Sequence, residues 1–148
     1  MSELRELYQS VILDHNKRPR NFGEAAGANR SADGFNPLCG DKVTVYLELE
    51  DDVVKDVGFS GSGCAISTAS ASLMTQSVKG RSVAEVEKIF DGFHELVTTD
   101  AAPDAASLGK LAVFSGVREF PVRVKCATLA WHTLMSALEG SGEVAKTE

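Results

Sequence analysis

The chain has 148 residues, the size of one domain, and is long enough to bury roughly two-thirds of the surface its unfolded form exposes. Its apolar content of 43% and charged content of 24% are ordinary for a soluble globular protein, and a formal charge of −6 argues against a nucleic-acid binder, which carries a basic stripe. No stretch approaches the ~20 apolar residues of a membrane span, and the charged N-terminal segment lacks the apolar core of a signal peptide. Cytoplasm is the expected compartment.

In chain order, Leu4, Leu7, Tyr8, Val11 and Ile12 recur at helical spacing, so a first helix is expected from Glu3 to about Asn16, ended ahead of Pro19. Asn21 to Gly34 is rich in Gly, Ala, Asn and Ser without a period and reads as a surface loop. Val43, Val45, Leu47 and Leu49 alternate with Thr44, Tyr46 and Glu48, the pattern of a half-buried strand. Glu50-Asp51-Asp52 is a polar turn, and Val53 to Ser60 returns as the second strand of a hairpin. Past Gly61-Ser62-Gly63, a helix is expected from Ala65 to Val78, with Ile66, Ala69, Leu73 and Met74 as its apolar stripe and Gly80 at its C-terminal cap. Ser82-Val83-Ala84-Glu85 fits a capping box opening a third helix, whose apolar positions are Val83, Val86, Ile89, Phe90 and Phe93.

Thr98 to Ser107, with Pro103, reads as a turn-rich insertion followed by a short helix around Leu108 to Phe114. Pro121 suits the first position of a last helix, along which Cys126, Leu129, Ala130, Thr133, Leu134, Ala137 and Leu138 share one face. A tail from about residue 140 is short, polar and expected to fray. Neither a repeat nor a linker divides the chain, so residues 1–148 are expected to form one α+β domain, a small antiparallel sheet with helices packed against it.

Three cysteines carry the chemical interest. Cys39 and Asp41 are separated by Gly40; in an extended chain both point to one side and can reach a common atom, while glycine leaves the backbone room to approach it. Cys64 and Cys126 each fall at or near a helix start, where the thiolate is favoured. Three thiols and a carboxylate make a complete tetrahedral ligand set. Spacing alone is weak support, because gaps of this length match no paired C-x-x-C template, and Cys64 and Cys126 read equally as buried core thiols. His15, His94 and His132 adjoin no cysteine and are excluded from the site: His15 reads as a cap at a helix end, His94 as lying at a helix end too, and His132 as surface or partner-facing. Trp131 reads as core or interface.

The runs Asn36-Pro37-Leu38-Cys39-Gly40-Asp41, Gly61-Ser62-Gly63-Cys64-Ala65-Ile66-Ser67 and Val124-Lys125-Cys126 resemble, in that order and over nearly the whole chain, the U-type iron–sulfur assembly proteins. The resemblance implies a SufE/IscU-like sandwich and one site made of Cys39, Asp41, Cys64 and Cys126. The IscU branch carries a histidine before the last cysteine, within a chaperone-read Leu-Pro-Pro-Val-Lys segment; here the residue is Lys125 and the segment reads Phe120-Pro121-Val122-Arg123-Val124-Lys125. The insertion between about Phe93 and Phe120 is similar to the SufU branch. That branch implies bound zinc, a SufS-type cysteine desulfurase as partner, and a downstream Suf assembly complex, with no nucleic acid or membrane. It also has an arginine at the Arg123 position.

Sulfane sulfur moves when a thiolate attacks a persulfide, and zinc keeps thiols deprotonated without redox chemistry of its own. Cys39, on a loop, is the expected sulfur acceptor, leaving the metal when the desulfurase docks. Asp41 is expected to tune the lability of the site; it reads alternatively as a turn carboxylate holding local amides. Arg123 and Lys125 either offset the charge of the three thiolates or form a solvated basic pair. Against the sulfurtransferase stand two other readings: a scaffold for a transient [2Fe-2S] cluster or iron, and a structural zinc module.

Overall fold

A computed structural model describes residues 2–37, 40–98, 111, 114, 117, 120–139 and 145–146, with side chains from residue 9 to 139. Four helices, α1 (Ser2–Lys17), α2 (Ala65–Val78), α3 (Val83–Thr98) and α4 (Pro121–Glu139), accompany strands β1 (Arg30–Asn36), β2 (Asp41–Glu50), β3 (Val53–Ser62) and the two-residue β4 (Ala145–Lys146). The sheet order is β3-β2-β1-β4, antiparallel among the first three, with β4 parallel to β1. This is the expected α+β sandwich. Among the described residues, no helix is long and apolar enough to cross a membrane.

Alternation does the local work in β2. Val43, Val45 and Leu47 are buried toward the helices while Lys42 is exposed and Thr44 and Tyr46 are half-buried. Asp51 and Asp52 both take positive φ, 53° and 62°, in a two-residue turn that pairs Glu50 with Val53. Such a turn matches the right-handed twist of its strands, and Asp tolerates the left-handed region better than most residues. The layer above holds α4 against β1 and β2, and α2 against β3 and α4; α1 packs on α2, and α3 on α4. At the centre Trp131 is fully buried, stacked on Phe93 at 4.8 Å, with Phe114 edge-on to Phe93 and the indole N–H donating to Ser70 Oγ.

Several elements match the sequence reading. α2 spans Ala65–Val78, with Gly80 just beyond its cap at φ +83°. Ser82 and Glu85 exchange the two bonds of the capping box, Glu85 N donating to Ser82 Oγ (3.2 Å) and Ser82 N to Glu85 Oε1 (3.1 Å). α4 opens at Pro121.

Two expectations need correction. The stretch from Asn21 to Gly34 is not all loop: its last third belongs to β1. Ser31, Asp33 and Arg30 hide any alternation, but β1 pairs with β2 along its whole length, and backbone pairing needs no apolar side chains. Its inner face meets α4 so closely that a Cβ on Gly34 would collide with the Thr133 hydroxyl. The expected frayed tail contains β4, which pairs with Gly34 and Phe35. His15 lies in the last turn of α1, at the helix end where it is expected, and is 1% exposed, its Nδ1 2.7 Å from Ser72 Oγ, so that it also ties α1 to α2. The expected helix of residues 108–114 lies mostly outside the described residues, although Leu111, Phe114 and Val117 are buried in the core.

Candidate metal centre

The site is built where three elements end together. In β2 the buried phase Val43, Val45, Leu47 extends back by one step to Asp41, which is 1% exposed. Residues two apart share a face, so a carboxylate is carried into the helix layer by the same alternation that buries the valines. Above it, Cys64 is the N-cap of α2, with extended backbone (φ −70°, ψ 169°) and its sulfur accepting from Ser67 N at 3.4 Å. Cys126 lies in the second turn of α4, 3% exposed. Cys64 is the exposed member of the group.

Asp41, Cys64 and Cys126 place their ligand atoms all within 4.8 Å of one another. Cys64 N donates to Asp41 Oδ1 at 2.9 Å, and the Cys64 thiol lies 3.8 Å from Oδ2. The carboxylate therefore holds an amide 23 residues away. Gly63 makes this approach possible: a Cβ there would stand 2.8 Å from Asp41 Oδ1. Asn36, fully buried at the end of β1, aims its amide nitrogen at Cys126 Sγ from 3.7 Å. In the sequence Asn36 stands only as the first residue of the run carrying Cys39; its place beside the site becomes visible with its cross-strand pairing to Asp41.

The Cys64 thiol is drawn down from 9.0 to about 7, first by its hydrogen bond with Cys126 and then by the Ser67 and Ile66 amides; partial burial and the Asp41 charge oppose this. Among the described residues no Lys, Arg or His forms an ion pair with Asp41. A buried carboxylate next to two thiols calls for a compensating cation. Sulfur and carboxylate oxygen are the donor set of tetrahedral zinc, so the residues fit that ion.

Cys39 lies outside the described residues, and Gly40 beside it is not extended. Gly40 has φ +73° and its N–H donates to Asn36 O at 2.8 Å, which makes a turn between paired Asn36 and Asp41. The same-side argument from an extended chain is thus corrected; a turn replaces it.

Arg123 is exposed on the first turn of α4, its guanidinium 4.5 Å over the Phe120 ring, and Lys125 is half-buried two residues on. The three histidines stay apart from the group. His132 packs edge-on to Phe90 and His94, and burial, then the His94 charge, holds its imidazole below the ordinary range.

Residues 7–127 match the NifU-like N terminal domain. The iron–sulfur cluster assembly scaffold protein IscU of Streptococcus pyogenes is 40% identical over 141 residues, 95% of this chain and 88% of that protein. The zinc-dependent sulfurtransferase SufU of Bacillus subtilis is 40% identical over 133 residues, 90% of each. A crystal structure from Fervidobacterium islandicum, described as an iron–sulfur cluster assembly scaffold for the SUF system, superposes with a TM-score of 0.83 at 34% identity, covering 90% of this chain and 97% of that one.

Proposed function

The chain belongs to the NifU-like N-terminal family of iron–sulfur cluster assembly proteins, which includes IscU and SufU, and from that premise we propose that it is a zinc-dependent sulfurtransferase. It takes persulfide sulfur from a SufS-type cysteine desulfurase and passes it to a downstream Suf assembly complex. The observation carrying this reading is the meeting of Asp41, Cys64 and Cys126 within 4.8 Å, with Lys125 where a scaffold of the IscU branch has its histidine.

Cys39, Asp41, Cys64 and Cys126 would hold the zinc. When bound, the ion keeps the thiols deprotonated and protects them from oxidation, having no redox chemistry of its own. The chain's own residues do the rest. Cys39 is the acceptor: its thiolate attacks the terminal sulfur of the desulfurase persulfide, the sulfur–sulfur bond breaks, and the desulfurase cysteine departs as a thiolate. The product is a persulfide on Cys39, with no net oxidation or reduction. Its place on a four-residue hairpin loop suits this role, whereas Cys64 and Cys126 are fixed by helices. Asp41, held by the Cys64 amide, keeps a hard oxygen among softer donors and tunes how readily the site lets go. Arg123 and Lys125, at the start of α4, offset the negative charge as the sulfur arrives.

Labelled sulfur supplied through the desulfurase should appear on the wild-type chain and be absent from Cys39→Ala; label on the variant would reject Cys39 as acceptor. The second reading, a scaffold whose cargo is a transient [2Fe-2S] cluster, draws on the equal identity to a protein named IscU. Protein purified without air decides between them: zinc with desulfurase stimulation supports the first, iron with acid-labile sulfide the second.

A further inference from the structure

We propose that Asn36 is a positioning residue of the metal centre, its side-chain amide donating a hydrogen bond to the sulfur of Cys126 and its backbone anchoring the loop that carries Cys39. The proposal rests on the metal-site reading above and adds to it a residue outside the ligand set.

Three observations meet at this one side chain. The amide nitrogen lies 3.7 Å from Cys126 Sγ, within reach of a hydrogen bond to sulfur, and the residue is 0% exposed, so it is out of reach of bulk solvent. Its backbone carbonyl accepts from Gly40 N at 2.8 Å, closing the turn over Pro37 to Gly40. Its strand partner across the hairpin is Asp41. One residue thus touches Cys126 directly, fixes Asp41 by register, and sets the base of the Cys39 loop.

The chemistry explains why an amide stands here. A thiolate carries no proton to donate, so a neighbouring donor satisfies it, and the bond draws electron density from sulfur. Outer partners of this kind orient ligands and tune affinity, typically by about 10- to 100-fold. Aspartate has nearly the same shape but offers no N–H when ionised, and would add a buried negative charge beside Asp41 and the thiols. Hydrophobic residues of similar volume would fill the space and leave the sulfur without this donor.

The test uses the whole chain, isotope-labelled and loaded with an NMR-active cadmium isotope, a thiolate-seeking stand-in for zinc. A scalar coupling between the Asn36 side-chain amide proton and cadmium, transmitted through the sulfur of Cys126, is expected. Ser67 N–H, bonded to Cys64 Sγ at 3.4 Å, supplies the internal control. Coupling at Ser67 with none at Asn36 overturns the proposal and leaves the metal site standing; a chain that takes up no cadmium overturns both. In parallel, Asn36→Ala should weaken zinc by roughly 10- to 100-fold in chelator competition. It should also move the sulfur-to-metal charge-transfer band of the cobalt(II) form to longer wavelength, because the lone pair is no longer stabilised. A purely structural role predicts a lower melting temperature with the band unmoved, and that result also overturns the proposal. Because the cadmium measurement uses the wild-type chain, a variant that fails to fold does not decide the matter.

Discussion

α2 and α3 start in the same way and to different ends. Each begins at a residue whose side chain accepts a backbone N–H three residues on. At α3 the acceptor is Ser82 Oγ, 3.2 Å from Glu85 N, and Glu85 returns the bond; at α2 it is Cys64 Sγ, 3.4 Å from Ser67 N, with no acidic residue in the first turn. Oxygen is the better acceptor, and serine, threonine, asparagine and aspartate are the preferred caps, worth about 1 kcal/mol over alanine. Sulfur at the same position is a weaker cap, and in exchange α2 presents a thiol whose pKa is lowered to about 7 beside Asp41 and Cys126. One helix start closes a capping box; the other sets a thiol beside Asp41 and Cys126.

The sharpest way to break this comparison is Cys64→Ser. A hydroxyl is the better cap, so the metal-free chain should gain up to about 1 kcal/mol in denaturant titration. The same variant should lose zinc by more than the roughly 100-fold that outer partners command, together with sulfur acceptance from the desulfurase. A variant that is destabilised without metal and still retains zinc would collapse the distinction.

Next in size is Gly63→Ala. The new methyl would press on Asp41 Oδ1, only 2.8 Å from the Cβ position, and the carboxylate must turn away from its bond to Cys64 N. Zinc affinity is expected to fall about 10- to 100-fold by chelator competition, while the capping box at α3 is untouched. Ser82→Ala is the mirror experiment: a loss of about 1 kcal/mol in thermal or chemical unfolding, with metal content and sulfur transfer unchanged.

The smallest effect is a pH dependence at α3. The Ser82 backbone N–H, then its hydroxyl, hold the Glu85 carboxyl below its ordinary 4.5. A carboxyl depressed in the folded state binds fewer protons than in the unfolded one, so its contribution is present above about 4.5 and is lost as pH falls through the folded value. The gap in melting temperature between wild type and Glu85→Gln should therefore shrink on acidification below that point; a gap that stays constant would show that the box does not set the carboxyl.

How much could be read beforehand varies with the source of each constraint. The capping box, the start of α4 at Pro121 and the alternation of Val43, Val45 and Leu47 are local rules and stand in the structure as the residues suggest. β1 was illegible because Gly34 and Asp33 carry no strand pattern; its bonds come from β2 and its glycine from the nearness of Thr133 on α4. That His15 also ties α1 to α2 is not legible in the sequence, because nothing nearby announces Ser72, 57 residues away. Asp41 sits between these cases: the buried phase of β2, extended one step, reaches it, so its inward direction was available from the pattern alone.

Sequence by itself determined the elements whose causes lie within a few residues: helix starts, the Asp51–Asp52 turn, the apolar phases, and the donor types available for a metal. Tertiary structure alone decided that Asp41, Cys64 and Cys126 meet within 4.8 Å and that Asn36 stands against Cys126. The physical reason is range. Capping, turns and alternation act over hydrogen bonds a few residues long, whereas the meeting of Asp41, Cys64 and Cys126 depends on where a strand start and two helix starts are brought by the packing of a whole core.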